Sequence, residues 1–285
     1  MTIYFSGQYL DDPTSINVAD RGFLLGDGIF ETILLRDGQP AFFSAHIARL
    51  TAGAAALGID VKFTETEIAK AITDLAERNG AKKGAASCRI TLTRGVGARG
   101  LSAEDANEPT LLVTVSPYKG TGGESLRLMV ARASRAERSI SARYKTLNYL
   151  DNVLAREEAR AAKMDDAIML NHAGRVACAS AANVFVIRED GEVVTPPVRE
   201  GALSGIVRNV LLQTANNAGL AVVEAEIDRH ELKKSAIILT NSLIGLRLAT
   251  IKSGEVSASA QKIFDKLKSC YENALRDDLK MRAGH

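Results

Sequence analysis

The first half of the chain alternates apolar and polar positions in short runs, with two stretches of helical spacing between them. Met1 to Leu10 alternates around a Ser6-Gly7 turn, and Gly28 to Arg36 predicts a strand ending in the hairpin signal Asp37-Gly38. Ser44 reads as the N-cap of a helix to about Leu57, with Ile47, Leu50 and Ala54 on one face. Thr64 and Glu67 make a capping box for a second helix that stops at Asn79-Gly80. Strands are predicted at Ser87 to Thr93 and Thr110 to Ser116.

The pattern then breaks at Pro117 to Gly123, a run rich in turn residues, and a domain boundary is predicted there, giving domains 1–118 and 119–285. Beyond it, strands are expected at Leu126 to Ala131, Ala167 to Leu170, Val184 to Ile187 and Val193 to Thr195. Helices are expected from Tyr149 to Lys163, from a cap at Ser204 to about Ala218, and from Ser257 to Arg282. Strands and helices mix without regular βαβ order, which argues α+β over a doubly wound sheet.

Composition narrows the class without naming an activity. Hydrophobic residues are 46% and charged residues 25%, enough for a buried core. A formal net charge of +2 gives no electrostatic case for nucleic acid or an anionic membrane. No signal sequence or spanning run is evident, and Cys88, Cys178 and Cys270 are too few and too scattered for a disulfide framework. A cytoplasmic protein is the expectation. His46, His172 and His230 have no metal-ligand spacing, so no metal site is expected, and no Gly-x-Ser-x-Gly elbow is present.

Three segments can carry chemistry. Gly95 to Gly100 matches G-x-G-x-x-G, but no helical period follows it, so a dinucleotide site is not supported. The same loop displays Arg99, which suits a small carboxylate or is a solvated loop arginine. Lys145 stands just before a predicted helix, between Tyr144 and Tyr149 and beside the cap candidates Thr146 and Asn148. A lysine that forms a Schiff base must first lose its proton, which nearby cations such as Arg143 favour. Gly201 to Arg208 puts small residues at a helix start, where backbone N–H groups favour an anion or simply begin a capped helix. Thr240-Asn241-Ser242 follows an apolar run as a polar strand end or turn.

Six blocks in order resemble the fold-type IV pyridoxal-phosphate enzymes, the class IV aminotransferases. They are Asp20-Arg21-Gly22 with Gly26 to Glu31, Ser44 to Leu50, Thr93 to Gly100, Lys145 to Leu150, Gly174 to Phe185, and Gly201 to Arg208. The resemblance runs from about Tyr4 to Thr250. It implies a two-domain α+β fold, with a small N-terminal α/β domain and a larger C-terminal domain built on a β-barrel-like core. It also implies pyridoxal 5'-phosphate as cofactor and a homodimer. Lys145 resembles the Schiff-base lysine, which also moves the proton between Cα and C4′. Arg49 resembles the arginine on the cofactor phosphate, joined by the backbone of Ile206 and Val207 and by Ser242. Tyr149 and Cys178 fall at further cofactor positions, while Phe30, Arg99 and Asn241 fall on the substrate side.

Two positions depart from the family. Cys178 stands where a glutamate normally pairs with the pyridine nitrogen, and a neutral thiol cannot keep that nitrogen protonated as a carboxylate does. Val207 stands where a threonine often adds a hydroxyl to the phosphate contacts. The leading expectation is a transaminase exchanging an amino group between a small amino acid, D-amino acids included, and a 2-oxo acid. The alternative is an aminodeoxychorismate lyase releasing pyruvate and 4-aminobenzoate. A branched-chain aminotransferase fits less well, and Cys178 motivates a fourth reading, a cofactor-binding dimer of weak activity.

Overall fold

The computed structural model describes residues 1–11, 15–106, 108–120, 122–123, 125–251 and 255–283, so Thr121 of the linker-like stretch lies outside the described residues. The chain divides into two compact units. One takes Met1–Gly120 with Lys145–Asn148 and the residues from Asp278 on; the other takes Thr121–Tyr144 and Tyr149–Asp277.

The first unit contains β1 (Thr2–Phe5), β2 (Gln8–Asp11), α1 (Arg21–Leu25), β3 (Gly28–Arg36), β4 (Gln39–Pro40), α2 (Phe43–Leu57), α3 (Glu65–Arg78), β5 (Ala85–Thr93) and β6 (Thr110–Pro117). Its strands make one six-stranded antiparallel sheet in the order β2-β1-β6-β5-β3-β4. Period-two alternation separates the two faces. Ile29, Ile33, Leu35, Cys88, Ile90, Leu92, Val113 and Val115 join Leu50, Ala54, Ile68 and Ile72 of α2 and α3 in one core. Phe30, Thr32, Arg89, Thr91 and Thr114 occupy the alternate positions and line the other face.

The helix starts show where side-chain signals did and did not decide the outcome. At α3 the capping box forms: Thr64 Oγ1 accepts from the Glu67 N–H at 3.1 Å, and the Glu67 carboxylate accepts from the Thr64 N–H at 2.7 Å. At α2 the expected Ser44 cap is absent. The helix begins two residues earlier, with Phe42 at the cap in a left-handed conformation, and Ser44 Oγ donates to Glu65 instead. A serine already inside the first turn cannot reach back to the orphan N–H groups.

The second unit contains β7 (Leu126–Val130), α4 (Ile140–Arg143), α5 (Leu150–Ala161), β8 (Asp166–Leu170), β9 (Val176–Ala179), β10 (Asn183–Ile187), β11 (Val193–Thr195), α6 (Ile206–Thr214), β12 (Val222–Glu224), β13 (Ala236–Asn241), β14 (Gly245–Ile251) and α7 (Ala258–Ala283). Its eight strands run in the order β12-β11-β10-β13-β14-β7-β8-β9. Val184 and Val186 of β10 share a buried cluster with Ile168 of β8 and Val176 of β9, at the far end of that order. Such distant strands meet only because the sheet curls, here into a half-barrel. The predicted cap at Ser204 gives way to Gly205, which makes no side-chain cap, and α6 ends at Thr214 but passes straight into a 3-10 helix that runs to Ala218, the predicted end. Among the described residues no helix is long and apolar enough to cross a membrane.

Candidate active site

Lys145 is fixed by pairing with a strand, not by a helix. The Phe30 N–H donates to the Lys145 carbonyl and the Leu147 N–H to the Gly28 carbonyl, both at 2.9 Å. Residues 145–148 are therefore extended along β3. For that reason Thr146 and Asn148 do not cap α5; Asn148 Nδ2 donates to the Gly26 carbonyl, and Tyr149 holds the cap position without a side-chain bond. The Lys145 side chain is half-buried, with Nζ 4.1 Å from the centroid of the Phe30 ring.

On the core side of β3, Glu31 is fully buried and holds Arg49. Arg49 Nε and Nη2 donate to its two carboxylate oxygens at 2.7 Å each, and His46 Nδ1 meets one of them at 2.7 Å. His46 and Arg49 are three residues apart on α2, so both reach the same partner. Burial opposes the charge on Glu31, but the bonds from Arg49 and His46 override it and pull its pKa down to about 2. Burial lowers the pKa of His46 against the pull of Glu31, so the imidazole is neutral and donates through Nδ1. Arg49 is thus a permanent cation whose plane is set by a bidentate acid.

The Arg99 loop is held from behind. Arg21 is buried, and its Nη1 and Nη2 donate to the carbonyls of Gly100, Leu101 and Ser102 at 2.9–3.1 Å. Its Nε donates to Asp27, which also accepts from Arg94. Burial works against the Asp27 carboxylate, yet the two arginines hold its pKa below the usual range. Gly95 has a φ of +88°, and a Cβ there would stand 1.8 Å from the Glu108 carbonyl oxygen. Arg99 itself is exposed. The expected absence of a helix after this glycine run matches the irregular backbone found there.

In the second unit, Ile206 and Val207 form the first turn of α6, behind a glycine that leaves the helix start without a side-chain cap. Asn183 and Thr240 face each other across β10 and β13. Their neighbours Val184 and Leu239 point into the half-barrel, so these two point to the side where α6 packs. A Cβ on Gly205 would come within 1.9 Å of Asn183 Oδ1. Thr240 is 1% exposed and its Oγ1 has no hydrogen-bond partner among the described residues. A buried hydroxyl left without a partner beside an uncapped helix start fits a bound anion such as a phosphate. Asn241 works in the turn between β13 and β14: its Oδ1 accepts from the N–H groups of Leu243 and Ile244, and its Nδ2 donates to Ala181. Ser242 is half-buried in that turn. Tyr149 and Asn241 line a cavity of about 700 Å³ with Arg156, Asp166, Ser180 and Arg247; Cys178, Ile206, Val207 and Ser242 do not line it.

Cys178 lies on β9 and packs with Ala155, Ala159 and Met169. Burial pushes its thiol pKa up; Arg135 works against that and Asp166 adds to it. Both charges are buried and engaged: Arg135 donates to Asn152 and to the carbonyls of Ser141, Ala142 and Gly201, while Asp166 accepts from Ser180 Oγ and pairs with Arg156. Cys178 is therefore a neutral thiol between a fixed cation and a fixed anion.

Sequence reading left out Asn183, Arg89, Arg135 and Asp166 as site candidates. Arg89 had a visible signal, because Ser87, Arg89 and Thr91 alternate with Cys88, Ile90 and Leu92. The other three gave none, since their partners come from other elements: Thr240 across the sheet for Asn183, α4, α5 and a loop for Arg135, and α5 and a loop for Asp166.

A sequence profile described as amino-transferase class IV matches residues 28–250. The chain is 30% identical over 281 residues to the aminodeoxychorismate lyase of Bacillus subtilis, covering 93% of this chain and 94% of that one. It is 28% identical over 233 residues to the D-alanine aminotransferase of Bacillus licheniformis, covering 81% of each. In fold it is similar to the branched-chain aminotransferase of Thermoproteus uzoniensis, with a TM-score of 0.85 and 24% identity over 98% of this chain and 97% of that one. The match to the family profile over most of its length, with a relative at 30% identity, makes this chain a member of the class IV aminotransferases, the pyridoxal-phosphate enzymes of fold type IV.

Proposed function

We propose that the chain is a transaminase that exchanges an amino group between a small amino acid, D-amino acids included, and a 2-oxo acid. The observation that carries this reading is Lys145 itself: a half-buried amine on a strand-locked backbone, seated over an aromatic ring within the unit that also holds a half-buried arginine fixed by a buried acid. In this reading Lys145 binds the cofactor covalently, Arg49 and the N–H groups of Ile206 and Val207 bind its phosphate, and Ser242, Tyr149 and Cys178 complete its surroundings. The orphaned Thr240 hydroxyl joins the phosphate side. The cofactor supplies an electron sink for the pair released at the substrate Cα. Lys145 then takes and returns the proton at that carbon, and Phe30, Arg99 and Asn241 face the substrate. The protein acts as a cytoplasmic homodimer, a setting that suits its free thiols.

A lyase reading has its own support in the likeness to the Bacillus subtilis lyase over nearly the whole chain. It would use the same lysine to release pyruvate and 4-aminobenzoate from aminodeoxychorismate. Spectral half-reactions with D-alanine, L-leucine and D-glutamate, run beside a pyruvate-release assay, separate these readings and also detect a branched-chain preference. If no substrate reacts, a cofactor-binding protein of weak activity remains. Borohydride reduction followed by digestion should place the pyridoxyl group on Lys145, and Lys145→Ala should lower turnover roughly a thousandfold or more. A pyridoxyl group on another lysine would end the proposal.

A further inference from the structure

The start of α2 is held by a residue from the far end of the chain. α2 has no acidic residue in its first turn and no side-chain cap, and its cap residue, Phe42, has a left-handed backbone with a φ of 51°. Asparagine, aspartate or serine would ordinarily take that position. The Phe42 N–H donates instead to Asp278 Oδ2 at 2.6 Å, across 236 residues of sequence. At α3 the N–H of the cap residue is taken by Glu67, from inside the same helix. The equivalent position in α2 is Ala45, which has no acceptor to offer.

Asp278 is itself out of pattern. On α7, Phe264, Leu267 and Tyr271 are buried at helical spacing, and the same stripe continues through Ala274 to Asp278. An apolar residue there would extend the stripe. The chain places a half-buried carboxylate instead, in the part of α7 that belongs to the first unit. A negative charge at a helix N-terminus is favoured by the helix dipole as well as by the bond it accepts. From Asp278 a line of direct hydrogen bonds leads to Arg49. The Phe42 carbonyl accepts from the His46 N–H at 3.1 Å and closes the first turn of α2. His46 Nδ1 then meets Glu31, and Glu31 accepts from Arg49 Nε and Nη2.

We infer that Asp278 is a positioning residue: it fixes the first turn of α2 and, through His46 and Glu31, the Arg49 guanidinium that grips the cofactor phosphate. The inference rests on the proposed function for the task of Arg49. It gives the C-terminal helix a share in cofactor affinity, although no residue of α7 is among those proposed to bind the cofactor.

Two measurements on the loaded, full-length protein test it. The first compares the dissociation constants of pyridoxal 5'-phosphate and of pyridoxal, which lacks the phosphate, by equilibrium dialysis; their ratio is the phosphate margin. Asp278→Ala should weaken the phosphate form by about threefold to tenfold and leave pyridoxal unchanged. Asp278→Asn keeps an acceptor oxygen without the charge and should fall between wild type and Asp278→Ala. Arg49→Gln should shrink the margin by itself, and adding Asp278→Ala to it should change the margin no further. The second measurement is solvent exchange of the Arg49 Nε–H, followed by NMR. That exchange should speed up by about threefold to tenfold in Asp278→Ala, because the bond to Glu31 opens more often. Should Asp278→Ala fail to fold, Asp278→Asn carries the same two tests. An unchanged margin, an equal loss on both forms of the cofactor, or an unchanged exchange rate reduces Asp278 to a helix cap and overturns the role. If Arg49→Gln leaves the margin intact, the assignment of Arg49 to the phosphate falls, and the exchange rate alone decides whether Asp278 positions it.

Discussion

Single side chains decide how much chemistry the proposed site can do, and Cys178, assigned in that proposal to the cofactor's surroundings, is the most consequential of them. Its thiol stays protonated because burial raises its pKa, and the nearest fixed charges, Arg135 and Asp166, pull in opposite directions. A pyridine nitrogen facing such a group lacks the carboxylate that would keep it protonated, and the electron sink weakens. An interaction worth about 3 kcal/mol at the transition state corresponds to roughly a hundredfold in rate. Cys178→Glu should therefore raise single-turnover transamination by about tenfold to a hundredfold in a stopped-flow half-reaction. An unchanged or slower rate would mean that Asp166, or another group, already serves the ring nitrogen. At this scale the sequence singles out a residue where its type is rare in its setting, as with Lys145 and the cysteine, which are the proposed site's two boldest assignments. It was silent on Thr240 as an orphan, on Asp166 and on Arg135, whose surroundings arise only when helices, loops and strands separate in the chain pack together.

Between elements, the tie from β3 to α2 shows how an acid buried in the core can serve a site. Glu31 points into the core of the first unit, where an unpaired carboxylate would be very costly, and it is stable there because Arg49 and His46 saturate it. Both titrating groups have folded pKa values below their ordinary ones, so the folded state binds fewer protons than the unfolded chain. Their contribution to stability is complete at neutral pH. It begins to fall near 6.5 as unfolded imidazole takes up its proton, and falls again from about 4.5 toward about 2 for the carboxylate. Denaturant midpoints measured from pH 7 to pH 3 should decline in those two steps. Glu31→Gln should lower stability at pH 7 and remove most of the second step, roughly 3 kcal/mol at most; a midpoint independent of pH in that variant's parent would refute the linkage. Elements with strong periodicity, such as α3 and β5, were legible in advance. Those buried on both sides were not: Val176–Ala179 is short, small and wholly buried, so β9 has no alternation to betray it. The helix starts at Phe43 and Ile206 escaped for another reason, because backbone geometry and packing set them where no side-chain cap exists.

At the scale of the whole molecule, each unit presents an apolar surface that a lone chain would leave in water. On α1 of the first unit, Phe23, Leu24 and Leu25 are 69%, 59% and 43% exposed, and Leu101 on the Arg99 loop is 86% exposed. Arg21, the first residue of α1, bonds to the Leu101 carbonyl, so helix and loop tip are fixed to one another. On α5 of the second unit, Leu150, Val153 and Leu154 are exposed at positions i, i+3 and i+4, a single stripe. Scattered apolar residues on a surface need no cause, but grouped and anchored ones point to a partner. A second copy of the chain is the partner proposed for this family member, and it would make the Arg99 loop part of the interface. Sedimentation velocity at micromolar concentration should give twice the chain mass of 30.5 kDa. Phe23→Asp with Leu24→Asp should shift the species toward monomer, because two carboxylates replace apolar contacts that burial would favour by about 1.5–3 kcal/mol each. The variant separates two uses of that face. If the loop serves the site only through assembly, KM for the substrate should rise as dimer is lost and recover at high protein concentration. A wild type that sediments as a monomer while remaining active would show that one chain holds a complete site, and that the exposed leucines serve something else.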